Sequence, residues 1–275
     1  MEGEKMPTFD TPEPIAVRVD AAAGFVRLVA TDRADTVVAV RAHDESRPAD
    51  VRAAEQTRVD YDNGKLTVSA ARRGFALFRG GAVDIEIALP SGSRLKASAA
   101  SADVHAEGEL ADCGISTASG DVDVDVVRGN LKAASASGSI IVRAVAGKVS
   151  VATASGSATL GEVDGDLVFK AASGDLSVAR LCGGLRAQTG SGSVNVATAV
   201  RGEISTFTSS GEVGVGVVEG TAARLDLITG SGAVTNLLEP ADGPTEGDDT
   251  LLIQVRTGSG DIDIHRAVPT HSTAG

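Results

Sequence analysis

Residues 117–126 read Thr-Ala-Ser-Gly-Asp-Val-Asp-Val-Asp-Val, and the motif that opens this stretch returns along the chain. Thr153-Ala154-Ser155-Gly156, Thr189-Gly190-Ser191-Gly192 and Thr257-Gly258-Ser259-Gly260 repeat it. The Gly of each Ser-Gly step falls at 120, 138, 156, 174, 192, 211, 232 and 260, giving spacings of 18, 18, 18, 18, 19, 21 and 28 residues. A degenerate first copy, Ser101-Ala102-Asp103-Val104, stands one period upstream. A second glycine series, at 108, 129, 147, 165, 184, 202 and 220, runs between the first. Each unit of about 18 residues therefore holds two turns and two short strands.

The strands are legible in the same stretch. Val122, Val124 and Val126 alternate with Asp121, Asp123 and Asp125, the period of two expected of a strand with one buried face. Equivalent positions form apolar columns: Leu131, Val149, Leu167, Leu185, Ile204 and Leu225 in one, Val122, Ile140, Ala158, Leu176, Val194, Val213, Val234 and Ile262 in the other. One such repeat cannot bury its apolar face alone, whereas a stack of them can. The expected fold is all-β, a single-stranded β-helix or β-solenoid of nine coils, two strands per coil, each coil rising about 4.8 Å. Thr and Ser before the turn are expected inward, with hydroxyls bonded to turn backbone or to the next coil. Gly is expected to supply the turn dihedrals.

Residues 1–82 are less regular and read as a β-rich capping region, since an open solenoid end exposes strand edges. Strands are expected at Ile15–Val19, Phe25–Val29 and Thr36–Val40, a short helix at 49–56, and a hairpin over 60–68 turning at Asn63-Gly64. A loop is expected over 72–79. The repeat domain is expected to span 83–265, with a loop at Glu239–Pro244 and a frayed tail over 266–275.

Composition restricts the function classes. The chain has 275 residues, a formal charge of −12 and a pI near 4.8, without Trp and with one Tyr. A backbone-driven nucleic-acid binder needs a basic face, and so does direct docking on anionic lipid; neither class is expected. No apolar run approaches the roughly 20 residues that span a bilayer. The first residues lack the apolar core of a signal peptide, and two cysteines make no disulfide framework, so a cytoplasmic protein is expected. Cys113 falls in a core column and Cys182 at a turn four coils on, too far apart to bridge.

Candidate chemistry is thin. A polysaccharide-cleaving β-helix needs clustered carboxylates. Here Asp121, Asp123, Asp125, Asp164, Asp166, Asp175 and Asp261 fall at turns or on outward faces and read as a solvated acidic surface. The calcium-binding β-roll carries Asp two residues after its Gly, where this chain has Val122, Ile140 or Leu176. His43, His105, His265 and His271 show no metal-ligand spacing. No catalytic, cofactor-binding or metal-binding residue is assigned, and no cofactor is expected.

Met6-Pro7-Thr8-Phe9-Asp10-Thr11-Pro12-Glu13-Pro14-Ile15, Val29-Ala30-Thr31-Asp32-Arg33-Ala34-Asp35-Thr36-Val37-Val38, Ala54-Glu55-Gln56-Thr57-Arg58-Val59 and the Ser-Gly-Asp-Val repeats together resemble the actinobacterial branch of the DUF4097 family over nearly the whole chain. The resemblance implies a β-helix and, through that family's adhesin label, a non-enzymatic structural or interaction protein with a possible place at the cell surface. An unknown protein or polysaccharide partner is expected, with self-association as a further option. The alternatives are a carbohydrate-active enzyme and a self-assembling scaffold.

Overall fold

The structure, a computed structural model, describes residues 6–70, 81–240, 243 and 249–268. The loop expected over 72–79, His271 and the tail beyond 268 lie outside the described residues. The chain divides into two compact units, residues 1–145 and 146–275. Each is a β-solenoid, and α1 (Pro48–Gln56) is the one α-helix among the described residues.

The first unit contains β1 (Thr8–Asp10), β2 (Ala16–Thr31), β3 (Asp35–Ala42), β4 (Arg58–Asp62), β5 (Lys65–Ser69), β6 (Val83–Pro90), β7 (Ser93–Thr117), β8 (Val122–Val127), β9 (Leu131–Ser135) and β10 (Ile140–Val145). Strands one period apart pair in parallel: Val122 lies beside Ile140, and Cys113 beside Leu131. The two strands expected at 15–19 and 25–29 form one long strand, β2, which turns at Gly24 with φ of 110°. β2 does not sit at the edge of the stack. Its first half lies between β5 and β7, its second half between β6 and β7, all in parallel. The outer edges of β5 and β6 are taken by antiparallel β4 and β3. The β4–β5 hairpin turns at Asn63 and Gly64, both at positive φ, as the Asn-Gly pair predicts.

The second unit contains β11 (Val149–Thr153), β12 (Ala158–Val163), β13 (Leu167–Ala171), β14 (Leu176–Leu181), β15 (Leu185–Thr189), β16 (Val194–Ala199), β17 (Gly202–Ser210), β18 (Val213–Val217), β19 (Ala222–Ser231), β20 (Val234–Asn236), β21 (Thr250–Ser259) and β22 (Ile262–Arg266). Odd-numbered strands from β11 to β17 stack in parallel on one side, and even-numbered ones from β12 to β18 on the other. The core is apolar and mostly aliphatic: Leu167, Phe169, Leu176, Leu185, Val194, Ile204 and Val213 are each at most 2% exposed.

The last two coils depart from the order in which they are written. β17 pairs with β21, and β21 with β19; β18 pairs with β22, and β22 with β20. The final coil in sequence is thus inserted beneath its predecessor. Ile262, expected at the end of its column, is fully buried, whereas Val234, expected within it, is 47% exposed. The column assignment stands, because period alone fixes which residues share a column. The order of rungs is a separate matter, fixed by which strands pair.

Candidate functional site

The Thr-x-Ser-Gly turn is built from the inside. Thr117, Thr153, Thr189 and Thr257 are all less than 10% exposed. The Gly120 N–H donates to Thr117 Oγ1 at 2.9 Å and the Gly156 N–H to Thr153 Oγ1 at 2.8 Å, so the hydroxyl closes its own turn. Further along, the hydroxyl reaches across a rung: Thr208 Oγ1 donates to the Gly192 carbonyl at 3.3 Å and Thr257 Oγ1 to Gly211 at 3.4 Å. The glycine has a different role from the one its turn position suggests. At Gly138 the backbone φ lies outside the left-handed region, but a Cβ there would enter the carbonyl of Gly120 one rung away. Close approach of stacked backbones, rather than an unusual dihedral, requires Gly at that position.

The turn aspartates are also structural, which the sequence reading did not anticipate. The Asp121 N–H donates to Asp103 Oδ1 at 2.9 Å, and the Ser139 N–H to Asp121 Oδ1 at 2.7 Å. Asp112, Asp166 and Asp175 accept in the same way from Asn130, Gly184 and Ser193, each 18 residues on. Asp261 accepts from Ala233 at 2.8 Å, which again joins neighbouring rungs out of sequence order. These carboxylates bind the backbone of the next coil, charge-assisted bonds of the kind that cap helix N-termini. The recurrence of Asp, Asn or Ser right after the turn Gly was the available signal.

The remaining acids and histidines are dispersed. His43 Nδ1 lies 2.8 Å from Asp84, and this hydrogen bond raises its pKa. His105 lies 3.8 Å from Asp123 and stacks at a tilt on Phe25. His265 lies 3.1 Å from Asp263. No group of three or more His, Cys, Asp or Glu residues able to hold a metal ion exists among the described residues. Both cysteines are free.

Two features of the second unit stand out as surfaces. On the outward side of the odd-numbered strands, Phe207, Arg256 and Ile228 are directly in register across β17, β21 and β19. Phe207 is 51% and Ile228 50% exposed. Phe207 occupies an outward position between inward Thr206 and Thr208, so the alternation itself marks it. The second feature is the open rung formed by β19 and β20. Leu225 and Leu227 there are half-buried, and Leu237 is 64% exposed. A cavity of about 760 Å³ opens beside it, lined by Ala223, Leu225, Asn236, Leu238, Leu251 and Arg266 among others.

Comparison with known proteins agrees with this architecture. The Toastrack DUF4097 family model matches residues 19–265, and the chain belongs to that family. A crystal structure from Parabacteroides distasonis, named a putative lipid binding protein, aligns with a TM-score of 0.56 at 14% identity, covering 96% of this chain and 97% of that one. A putative adhesin from Bacteroides fragilis aligns at 13% identity and TM-score 0.42, covering 96% and 98%. One from Parabacteroides merdae aligns at 14% and 0.37, covering 96% and 97%. At 14% identity the first likeness concerns the fold alone. No curated relative matches the sequence.

Proposed function

We propose that this protein is a non-enzymatic interaction module, a β-solenoid that presents regular outward faces to a macromolecular partner, with an acidic surface over much of the remainder. The observation that carries this reading is the Phe207–Arg256–Ile228 row. Two large apolar side chains are held in water on either side of a guanidinium, at the regular spacing of adjacent strands. Aromatic residues and Arg are the side chains most enriched at the centres of protein interfaces. The turn carboxylates that a carbohydrate-cleaving site would draw on are engaged by backbone N–H groups instead. The name given to the neighbour of like fold, a putative lipid binding protein, is in keeping with a binding role. Strands β1, β3 and β4 with α1 serve, on this reading, as the cap of the first unit. Two unbridged cysteines fit a reducing compartment, and no helix among the described residues is long and apolar enough to cross a membrane.

The test is comparative affinity capture, with the native chain and a Phe207→Ser/Ile228→Ser variant immobilised side by side. A ligand retained by the first and lost by the second is expected. Equal retention by both, or turnover of a polysaccharide substrate by the native chain, would overturn the reading.

A further inference from the structure

Among the described residues, the last rung of the second unit has one edge without a strand neighbour. β19 pairs only with β21, and β20 only with β22, among the described residues. In the first unit, by contrast, the outer edges of β5 and β6 are occupied by β4 and β3. The Ala222 N–H donates to the Asp249 carbonyl at 3.0 Å, so the even-numbered residues of β19 turn their backbone groups towards β21. In a parallel ladder, alternate residues face opposite neighbours. The N–H and C=O groups of Ala223, Leu225, Leu227 and Thr229 therefore point away from the stack, beside half-buried apolar side chains. A ten-residue edge of this kind is a template for another strand.

We propose that this edge receives a second copy of the chain, the two β19 strands pairing antiparallel about a two-fold axis at Leu225. A two-fold contact uses the same patch on both copies and makes a strand meeting itself run antiparallel. Charge then selects the register. An axis at Asp226 sets that carboxylate against its own copy, and an axis at Arg224 does the same for the guanidinium. An axis at Leu227 faces Asp226 with the partner's Ile228. With the axis at Leu225, Arg224 lies opposite the partner's Asp226, and Asp226 opposite the partner's Arg224. The outward-pointing groups of Leu225 meet those of the partner's Leu225, so the hydrogen-bonded positions and the charge match coincide. Ala223 falls against the larger Leu227 of the partner subunit. Directly opposed side chains of this kind interact across about 5 Å. Asp226 already lies 3.8 Å from Arg256 on β21 and would stand between two guanidiniums. The inference does not depend on what the Phe207–Arg256–Ile228 row binds.

The experiment is size-exclusion chromatography with light scattering over a hundred-fold range of concentration. The native chain is expected to dimerise. Arg224→Asp alone and Asp226→Arg alone each oppose like charges and are expected to run as monomers at concentrations where the native chain is dimeric, and the double exchange is expected to restore the dimer. Both sites lie at the surface, and circular dichroism of each variant confirms that the β fold is retained. In a Cys182→Ser background, Leu225→Cys is expected to form a disulfide-linked dimer on mild oxidation, because opposed hydrogen-bonded positions bring Cα atoms to about 5.5 Å. A native chain that is monomeric at all concentrations would overturn the proposal, as would a dimer indifferent to both single reversals or a double exchange that fails to rescue.

Discussion

Individual side chains in this fold are asked to close turns, and their hydroxyls are not equivalent. Thr153 Oγ1 accepts the buried Gly156 N–H, whereas Thr206 Oγ1 is buried without a hydrogen-bond partner among the described residues. Thr153→Val leaves an N–H unsatisfied and should cost about 1–3 kcal/mol, while Thr206→Val removes an unpaired hydroxyl and should be neutral or stabilising. Urea unfolding of the two variants measures both. Cys113 offers a pH test. Burial pushes its thiol up from 9.0 to about 12. Because the folded value is the higher one, the associated stability is complete below about pH 9 and is lost as pH rises towards 12. Cys113→Val should therefore show a shallower fall in melting temperature between pH 9 and 11 than the native chain. In the native state at neutral pH, alkylating reagents should modify the half-exposed Cys182 long before Cys113.

At the level of the coil, the periodicity makes the strands and their inward faces readable, but not the sequence of rungs. Val234 and Ile262 occupy the same column by motif, yet one is 47% exposed and the other fully buried. Ile262→Asp should cost on the order of 3–5 kcal/mol, and Val234→Asp no more than about 1 kcal/mol. Equal melting shifts would contradict the inserted coil. The spacing of 28 before Gly260 was a visible sign of an irregular connection, but a loop and a returning loop have the same composition. The turn aspartates were legible as exposed turn residues, but their bond to a backbone N–H one coil away shows in the sequence only as the recurrence of Asp, Asn or Ser after the turn Gly. The outward Phe207 was readable from the alternation around it. The uncovered edge of β19 was not readable, since it exists only because β21 takes the inner place.

The molecule as a whole carries a net charge of −12, and such a chain invites the expectation of divalent-cation binding. The geometry argues otherwise, because Asp103, Asp121, Asp112, Asp166 and Asp175 each use an oxygen to hold a backbone N–H. Millimolar calcium should leave the thermal melting curve where chelator leaves it, whereas a bound ion would raise it by mass action. The rung order has a consequence for how the protein is made. A repeat protein can in principle fold as it leaves the ribosome, each coil settling on the last. Here β2 emerges early, yet the strands that flank it, β5, β6 and β7, follow tens of residues later. At the other end, β19 and β20 are synthesised before the coil on which they rest. A nascent chain halted before residue 250 would hold β19 without the strand it pairs with among the described residues, so the arrival of β21 decides when these rungs can close.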